Sequence, residues 1–291
     1  MQHEEGLFSG SNELDFYYQS WLPRGEARAV VVIVPGFSDH CGRYDSLVET
    51  LIRHGMAVYS YDLRGHGRSP GQRGHIEQFD DYRQDTHTFI QFVSARHPAL
   101  PLFLFGHSLG GLIALDQGLH NPVGLSGVIS SAPLLGNPPV APIKAVAGRI
   151  FSKVWPSFSM PVGLDETSIS RDPATVQAYR DDPLVHGLGT ARLATEIEET
   201  VAETQANAYR FQPPLLIYFG SNDRLINPQD SQRFYNNVRS TDKEIIIYEG
   251  GYHECHNDIH NERVGIEVAQ WIEAQLLSAS QEHEQQDSID G

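Results

Sequence analysis

Cysteine is almost missing from this chain: Cys41 and Cys255 are the two in 291 residues, too few for a disulfide framework. Long apolar runs are missing too. The longest aliphatic stretch, Ala29–Val34, is far too short to cross a bilayer, and no apolar segment near the N-terminus would export the chain. Together these absences point to a reducing compartment, free thiols and a cytoplasmic protein. Positive charge is scarce: 21 basic residues face 37 acidic ones, a formal charge of −16. That balance argues against nucleic acid, and against an anionic membrane surface, as the main partner. Apolar content of 40% is ample for a core, and the length suits one α/β domain or such a domain with an insertion.

What is present is an alternation of buried strands and amphipathic helices. Ala29–Val34, Met56–Leu63, Leu102–Phe105, Leu125–Ser131, Leu215–Phe219 and Glu244–Tyr248 read as strands. Tyr44–His54, Asp80–His97, the segment after Ser108, Gln229–Val238 and Arg263–Leu277 read as helices between them. Such a rhythm predicts a mostly parallel sheet with helices on both faces, and ligands at the carboxyl ends of its strands. Asn12–Leu22 alternates as an edge strand, whereas Met1–Gly10 looks frayed. Between 132 and 212 the rhythm breaks under repeated prolines, which predicts an inserted helical cap. The expected organisation is core at 1–131, cap at 132–212, core again at 213–277 and a disordered polar tail at 278–291.

The most informative stretch is Leu102–Leu115, in which an apolar strand turns through Gly106-His107-Ser108-Leu109-Gly110 into an apolar helix. Strand, G-x-S-x-G and helix in that order are the context a nucleophile elbow requires. The turn is so tight that positions two before and two after the serine can hardly carry a Cβ, and both are glycine. Ser108 would then stand clear of the sheet at a helix N-terminus. The Leu109 amide would point where an oxyanion forms. A serine hydroxyl needs a base, and the base needs an orienting acid. His253 follows the strand ending at Tyr248, and Asp223 follows the strand ending at Phe219, so both belong to loops at the same sheet end. The order Ser108, Asp223, His253 is that of the α/β-hydrolases. The bland alternatives are a surface-loop histidine and a turn-capping aspartate. The Phe37 amide, in the loop after Ala29–Val34, is the second expected oxyanion donor, with Gly36 allowing close backbone approach.

Four stretches resemble the monoacylglycerol lipase and lysophospholipase branch of the α/β-hydrolases: Pro35–Tyr44 (PGFSDHCGRY), Tyr61–Asp85 (YDLRGHGRSPGQRGHIEQFDDYRQD), Gly106–Gly111 (GHSLGG) and Ile169–Val185 (ISRDPATVQAYRDDPLV). Gly220–Pro228 (GSNDRLINP) and Gly250–Glu254 (GGYHE) fall where that family keeps its acid and histidine. The resemblance spans roughly 29–277. It departs at Pro35, where the family usually has histidine.

The resemblance implies an α/β-hydrolase fold and an acyl ester substrate under a mobile apolar cap. It implies an acyl-enzyme formed by Ser108, with a monoacyl lipid as the best substrate class. The candidate substrate-binding residues are Gly36, His107, Val146, Ile150, Phe151, Trp155, Phe158, Met160 and Leu164; the apolar cap face could equally pack on the core. His107 is turned away from Ser108 by strand geometry, which favours packing, and His66 among its glycines reads as structural. The cap could also touch a membrane transiently. No spacing of histidine, cysteine and carboxylate reads as a metal site, and no cofactor is expected. The rivals are a lysophospholipase or general carboxylesterase, an aminopeptidase gripping an ammonium with Glu196, Glu198, Glu199 and Glu203, and a non-catalytic binding protein. Glu196, Glu199 and Glu203 lie opposite Ile197 and Val201, which favours a solvated helix face over an ammonium grip.

Overall fold

The computed structural model describes residues 1–136 and 142–290, and the side chains of all these except 12, 142–147 and 282–290. The chain opens with β1 (Gln2–Ser9), β2 (Asp15–Leu22) and β3 (Ala29–Val34), then α1 (Asp45–Arg53), β4 (Met56–Tyr61) and α2 (Asp80–Ser94). β5 (Leu102–His107), α3 (Leu109–His120) and β6 (Leu125–Ser131) complete the first part of the core. After β6, in the segment expected as a cap, lie α4 (Pro142–Val154), β7 (Ser159–Pro161), α5 (Pro173–Asp181), β8 (Leu188–Thr190) and α6 (Ala191–Asn207). β9 (Leu215–Gly220), α7 (Pro228–Asn237), β10 (Lys243–Tyr248) and α8 (Asn261–Asp290) return to the core.

Eight strands form one sheet in the order β1-β2-β4-β3-β5-β6-β9-β10. The six from β4 to β10 run parallel, and β2 and β1 join antiparallel at the edge. Every residue of β3, β4, β5 and β9 is buried, which explains why these segments are continuous apolar runs. Side chains still alternate between the two faces. Val30, Val32 and Val34 meet Phe89 and Val93 of α2 and Leu112 of α3 on one face. Val31 and Ile33 meet Leu47 and Leu51 of α1 and Val264 and Val268 of α8 on the other. Each such side chain contributes roughly 1.5–3 kcal/mol by leaving water.

Chain order and sheet order part company at β3. From β3 the chain crosses to β4 on one side, then returns to place β5 on the other. Sheets of this kind hold ligands at such a switch point, here the carboxyl ends of β3 and β5, which are paired through Val34 and Gly106. Gly36 and Ser108 follow those two strand ends.

Two terminal expectations are corrected. The frayed N-terminus is instead β1, paired with β2 along its whole length. Its residues are mostly exposed, so its sequence lacks an apolar stripe. Phe8 alone is deeply buried, packed on Phe16, Tyr61, Phe89 and Phe92. At the other end, the residues expected as a disordered tail continue α8 to Asp290, in a Ser-, Gln- and Glu-rich stretch with no proline or glycine to stop it before Gly291. Within the insertion, β7 and β8 form a separate antiparallel pair, and Ile169, Val176 and Tyr179 make a small core of their own. No helix among the described residues is long and apolar enough to cross a membrane.

Candidate active site

Ser108 stands between β5 and α3 with φ 53° and ψ −115°, a backbone conformation that L residues rarely adopt. The flanking glycines make it possible. A Cβ on Gly106 would collide with the Gly110 carbonyl, and one on Gly110 with the Val34 and Pro35 carbonyls. Hydrogen bonds lock the turn: the Ser108 amide donates to the Ser131 carbonyl at 2.9 Å, and its own carbonyl accepts from Leu112 at 3.1 Å and Leu134 at 3.0 Å. Ser38, Ser108 and Ala132, all with positive φ, follow β3, β5 and β6, so local strain gathers at one rim of the sheet.

Asp223 and His253 meet at that rim. His253 Nδ1 lies 2.7 Å from Asp223 Oδ2, with the aspartate side chain fully buried and the imidazole nearly so. The other carboxylate oxygen of Asp223 accepts from the Leu225 and Ile226 amides at 2.8 and 3.1 Å. Glycine again allows the approach, since a Cβ on Gly220 would strike the Gly251 and Tyr252 carbonyls. The Asn222 amide then reaches the Gly251 carbonyl at 3.0 Å and knits the two loops. Burial alone would depress the His253 pKa. The Asp223 carboxylate and its hydrogen bond, helped by Glu254 and Asp39, outweigh that and raise it above the ordinary value.

No hydrogen bond joins the Ser108 hydroxyl to His253 in this structure; the neighbour of Ser108 supplies the contact, His107 packing 4.8 Å from the His253 ring. Contacts of this kind commonly tighten only when substrate is bound. The Phe37 and Leu109 amides have no hydrogen-bond acceptor among the described residues. Gly36 approaches Ser108 closely, and a Cβ on it would stand 3.3 Å from the Ser108 Cβ.

The remaining candidates divide. His107 is 2% exposed, bonded to Ser131 Oγ at 3.1 Å and flanked by the His253 and His256 rings. Its ring is packed behind Ser108, with one nitrogen already engaged by Ser131. Burial, with His256 and His253 beside it, pushes its pKa well down. Leu164 packs with the small cap core. Phe151, Trp155 and Phe158 form an aromatic cluster on the cap, with ring centroids 6.1 and 5.0 Å apart, and Ile150 and Met160 are exposed. The Val146 side chain lies outside the described residues. His66 is buried and bonded to the Arg64 carbonyl at 3.0 Å, and burial pushes its pKa down to about 3. Cys41 and Cys255 are free and buried, and burial raises both thiol pKa values. No three histidine, cysteine or carboxylate side chains converge to hold a metal among the described residues.

A charged cluster beside the rim escaped the sequence reading. Arg43 grips both oxygens of Glu254 at 3.0 and 2.8 Å and reaches Asp39 at 3.0 Å. Tyr44 donates to Asp39 at 2.7 Å, and Arg43 lies over the Tyr179 ring of the cap at 4.6 Å. Burial alone would raise the Asp39 pKa; Arg43, Tyr44 and His40 hold it below the usual value. The only sequence hint was the Asp39–Arg43 spacing of four and a glutamate beside His253.

Residues 25–260 match the family model described as serine aminopeptidase, S33. A monoacylglycerol lipase of Mycolicibacterium smegmatis is 32% identical over 277 residues, covering 94% of this chain and 98% of that one. A mouse monoglyceride lipase is 31% identical over 264 residues, 89% of this chain and 87% of that one. Among solved structures, a monoacylglycerol lipase of Paleococcus ferrophilus superposes with a TM-score of 0.81 at 30% identity, covering 89% of this chain and 99% of that one.

Proposed function

We propose that this chain, which belongs to the α/β-hydrolase family of serine aminopeptidase S33 and is a carboxylic ester hydrolase, cleaves monoacyl lipids through a covalent acyl-enzyme. The observation that carries the mechanism is the 2.7 Å bond from His253 to a fully buried Asp223, on the rim where Ser108 holds its strained turn. In this reading Asp223, remaining ionised, accepts a hydrogen bond from Nδ1–H and so fixes the tautomer that leaves Nε2 free to take the Ser108 proton. The serine oxygen attacks the ester carbonyl, and the Phe37 and Leu109 amides hold the resulting oxyanion. His253 then returns the proton to the departing alcohol, glycerol in a monoacylglycerol. Water, deprotonated by the same imidazole, releases the fatty acid. The raised His253 pKa suits a group that must carry this proton between steps.

The names of the relatives and the exposed apolar cap support the monoacyl lipid. Ile150, Phe151, Val154, Trp155, Met160 and Val162 are all about half exposed or more, a surface that can meet an aggregated lipid before one molecule enters. The aminopeptidase reading is weakened by the contacts its glutamates already make. Glu196 accepts from the Phe79 amide at 2.9 Å, Glu198 pairs with Arg149 at 2.7 Å, and Glu203 lies 3.6 Å from His120. Arg43 is already shared by two carboxylates, so it is not free to meet a lysophospholipid phosphate. The test is a panel of p-nitrophenyl esters, monoacylglycerols, lysophosphatidylcholine and aminoacyl amides. Monoacylglycerols should lead in kcat/KM, and preference for the amides or lysophosphatidylcholine would overturn the substrate assignment.

A further inference from the structure

The loop that carries Phe37 is tied to the cap at several points, His40 bonding Asp182 at 2.8 Å and Arg43 covering Tyr179, and the tie nearest Phe37 is buried at its Ser38 end. Ser38, the next residue, has a left-handed backbone with φ 65°, where glycine is at ease and serine is not. Its side chain is fully buried, and its hydroxyl donates to the backbone carbonyl of His186, in the cap segment just before β8. The His186 ring packs edge-on to Phe37 at 5.7 Å and tilted against His66 at 4.6 Å; His66 closes the group at 5.7 Å from Phe37. Gly189 extends the contact, since a Cβ there would stand 3.6 Å from the Phe37 ring. One residue further, the Thr190 amide donates to the Gly74 carbonyl at 3.0 Å, so the same cap segment is moored to the core at a second point.

A serine in an unfavourable backbone conformation stays there only if surrounding contacts hold it. Here the holding group belongs to the cap. Without it, Ser38 could relax toward an ordinary conformation and carry the Phe37 peptide with it, and a glycine there, free to sample many conformations, would leave that peptide equally unaimed. We propose that Ser38 and His186 are positioning residues through which the seated cap aims the Phe37 amide at the developing oxyanion. Cap seating and transition-state stabilisation are then one event. This rests on the reading of Phe37 as an oxyanion donor and adds what sets its direction.

The test compares Ser38→Ala with Ser38→Gly on a short soluble ester, p-nitrophenyl butyrate, and measures binding of an aryl boronic acid that forms a tetrahedral adduct on Ser108. Both variants should lower kcat about tenfold, the scale of one lost hydrogen bond, with KM within about twofold. Boronate affinity should fall by the same factor as kcat, because the oxyanion hole is engaged only in the tetrahedral state. A merely structural role, in which backbone strain and not the latch matters, predicts that the two variants differ. Ser38→Gly relieves the backbone strain and would then be as active as the parent. Full kcat in Ser38→Gly, or a lower kcat with unchanged boronate affinity, overturns the proposal; Ser38→Gly carries the test if Ser38→Ala does not fold. The parent with Ser108→Ala separates the two ideas. If that variant keeps its turnover, the reading of the site fails, whereas an inactive Ser108→Ala beside fully active Ser38 variants sinks only the latch.

Discussion

The sheet rim and the cap handle apolar and polar groups in opposite ways. At the carboxyl ends of β3, β5, β9 and β10, the carboxylates of Asp39, Asp223 and Glu254 are bonded, buried and backed by the two large cores. In the cap, Ile169, Val176 and Tyr179 make a core of a few side chains, while Ile150, Phe151 and Val154 of α4, and Trp155, Met160 and Val162 after it, are about half exposed or more. Under the proposed function, the difference separates two tasks. Reacting groups need fixed geometry, and the rim supplies it from a rigid sheet. A surface that meets lipid needs exposed apolar area and freedom to shift, which a large core would deny it.

The comparison breaks most readily at the rim. Asp223→Asn keeps the shape but removes the charge that orients His253, so kcat should fall by roughly 10³–10⁴. The same variant sharpens a pH prediction. The base must be neutral to act, and its pKa is raised, so kcat/KM of the parent should climb through a limb above the ordinary histidine value of about 6.5. Loss of the aspartate charge should move the residual limb down. A parent limb below 6 would contradict the pairing.

Stability separates the regions next. Phe89→Ala, beneath the sheet, should cost about 3–5 kcal/mol in urea unfolding. Trp155→Ala on the cap should cost no more than about 0.5 kcal/mol. Equal losses would mean that the cap is as tightly packed as the core. Acid probes the rim again. His66, His107 and His256 are buried with depressed pKa values, to about 3 for His66 and about 4 for His256. Each binds a proton more readily when unfolded, so stability should fall as pH drops from about 6.5 toward 4, by up to ~1.4 kcal/mol per pH unit for each histidine. His253 acts in the opposite sense: its stabilisation is present below about 6.5 and is lost as pH rises through its raised value. A flat urea midpoint between pH 6.5 and 4.5 would contradict the buried neutral histidines. The smallest effect belongs to the cap surface. Trp155→Ala should lower the rate on micellar monoacylglycerol severalfold and leave p-nitrophenyl acetate unchanged.

How far the sequence could be read follows the same divide. Leu102–Leu115 was legible because a tight strand–turn–helix leaves few residue choices, and both glycines occur where the backbone demands them. Asp223 and His253 could be placed at one rim because strand direction alone decides which end a loop occupies. Strand β1 was hidden, since an exposed edge strand anchored by one phenylalanine has no periodic signal. The Arg43–Glu254 pairing and the Ser38–His186 bond were hidden for another reason: each joins residues 148 or more positions apart through side chains that no local pattern constrains. Trp155 and Phe151 were recognised as apolar, but periodicity could not say whether their face turned inward or outward.

The central claim is that Ser108 is the nucleophile which His253 and Asp223 serve. A fluorophosphonate reacted with the active protein and mapped by peptide mass spectrometry tests it most directly. The account predicts one label, on Ser108, and a Ser108→Ala variant that takes up none and has lost ~10⁴–10⁶ in turnover. A label on another serine, or a Ser108→Ala variant that still turns over ester at near the parent rate, would contradict it.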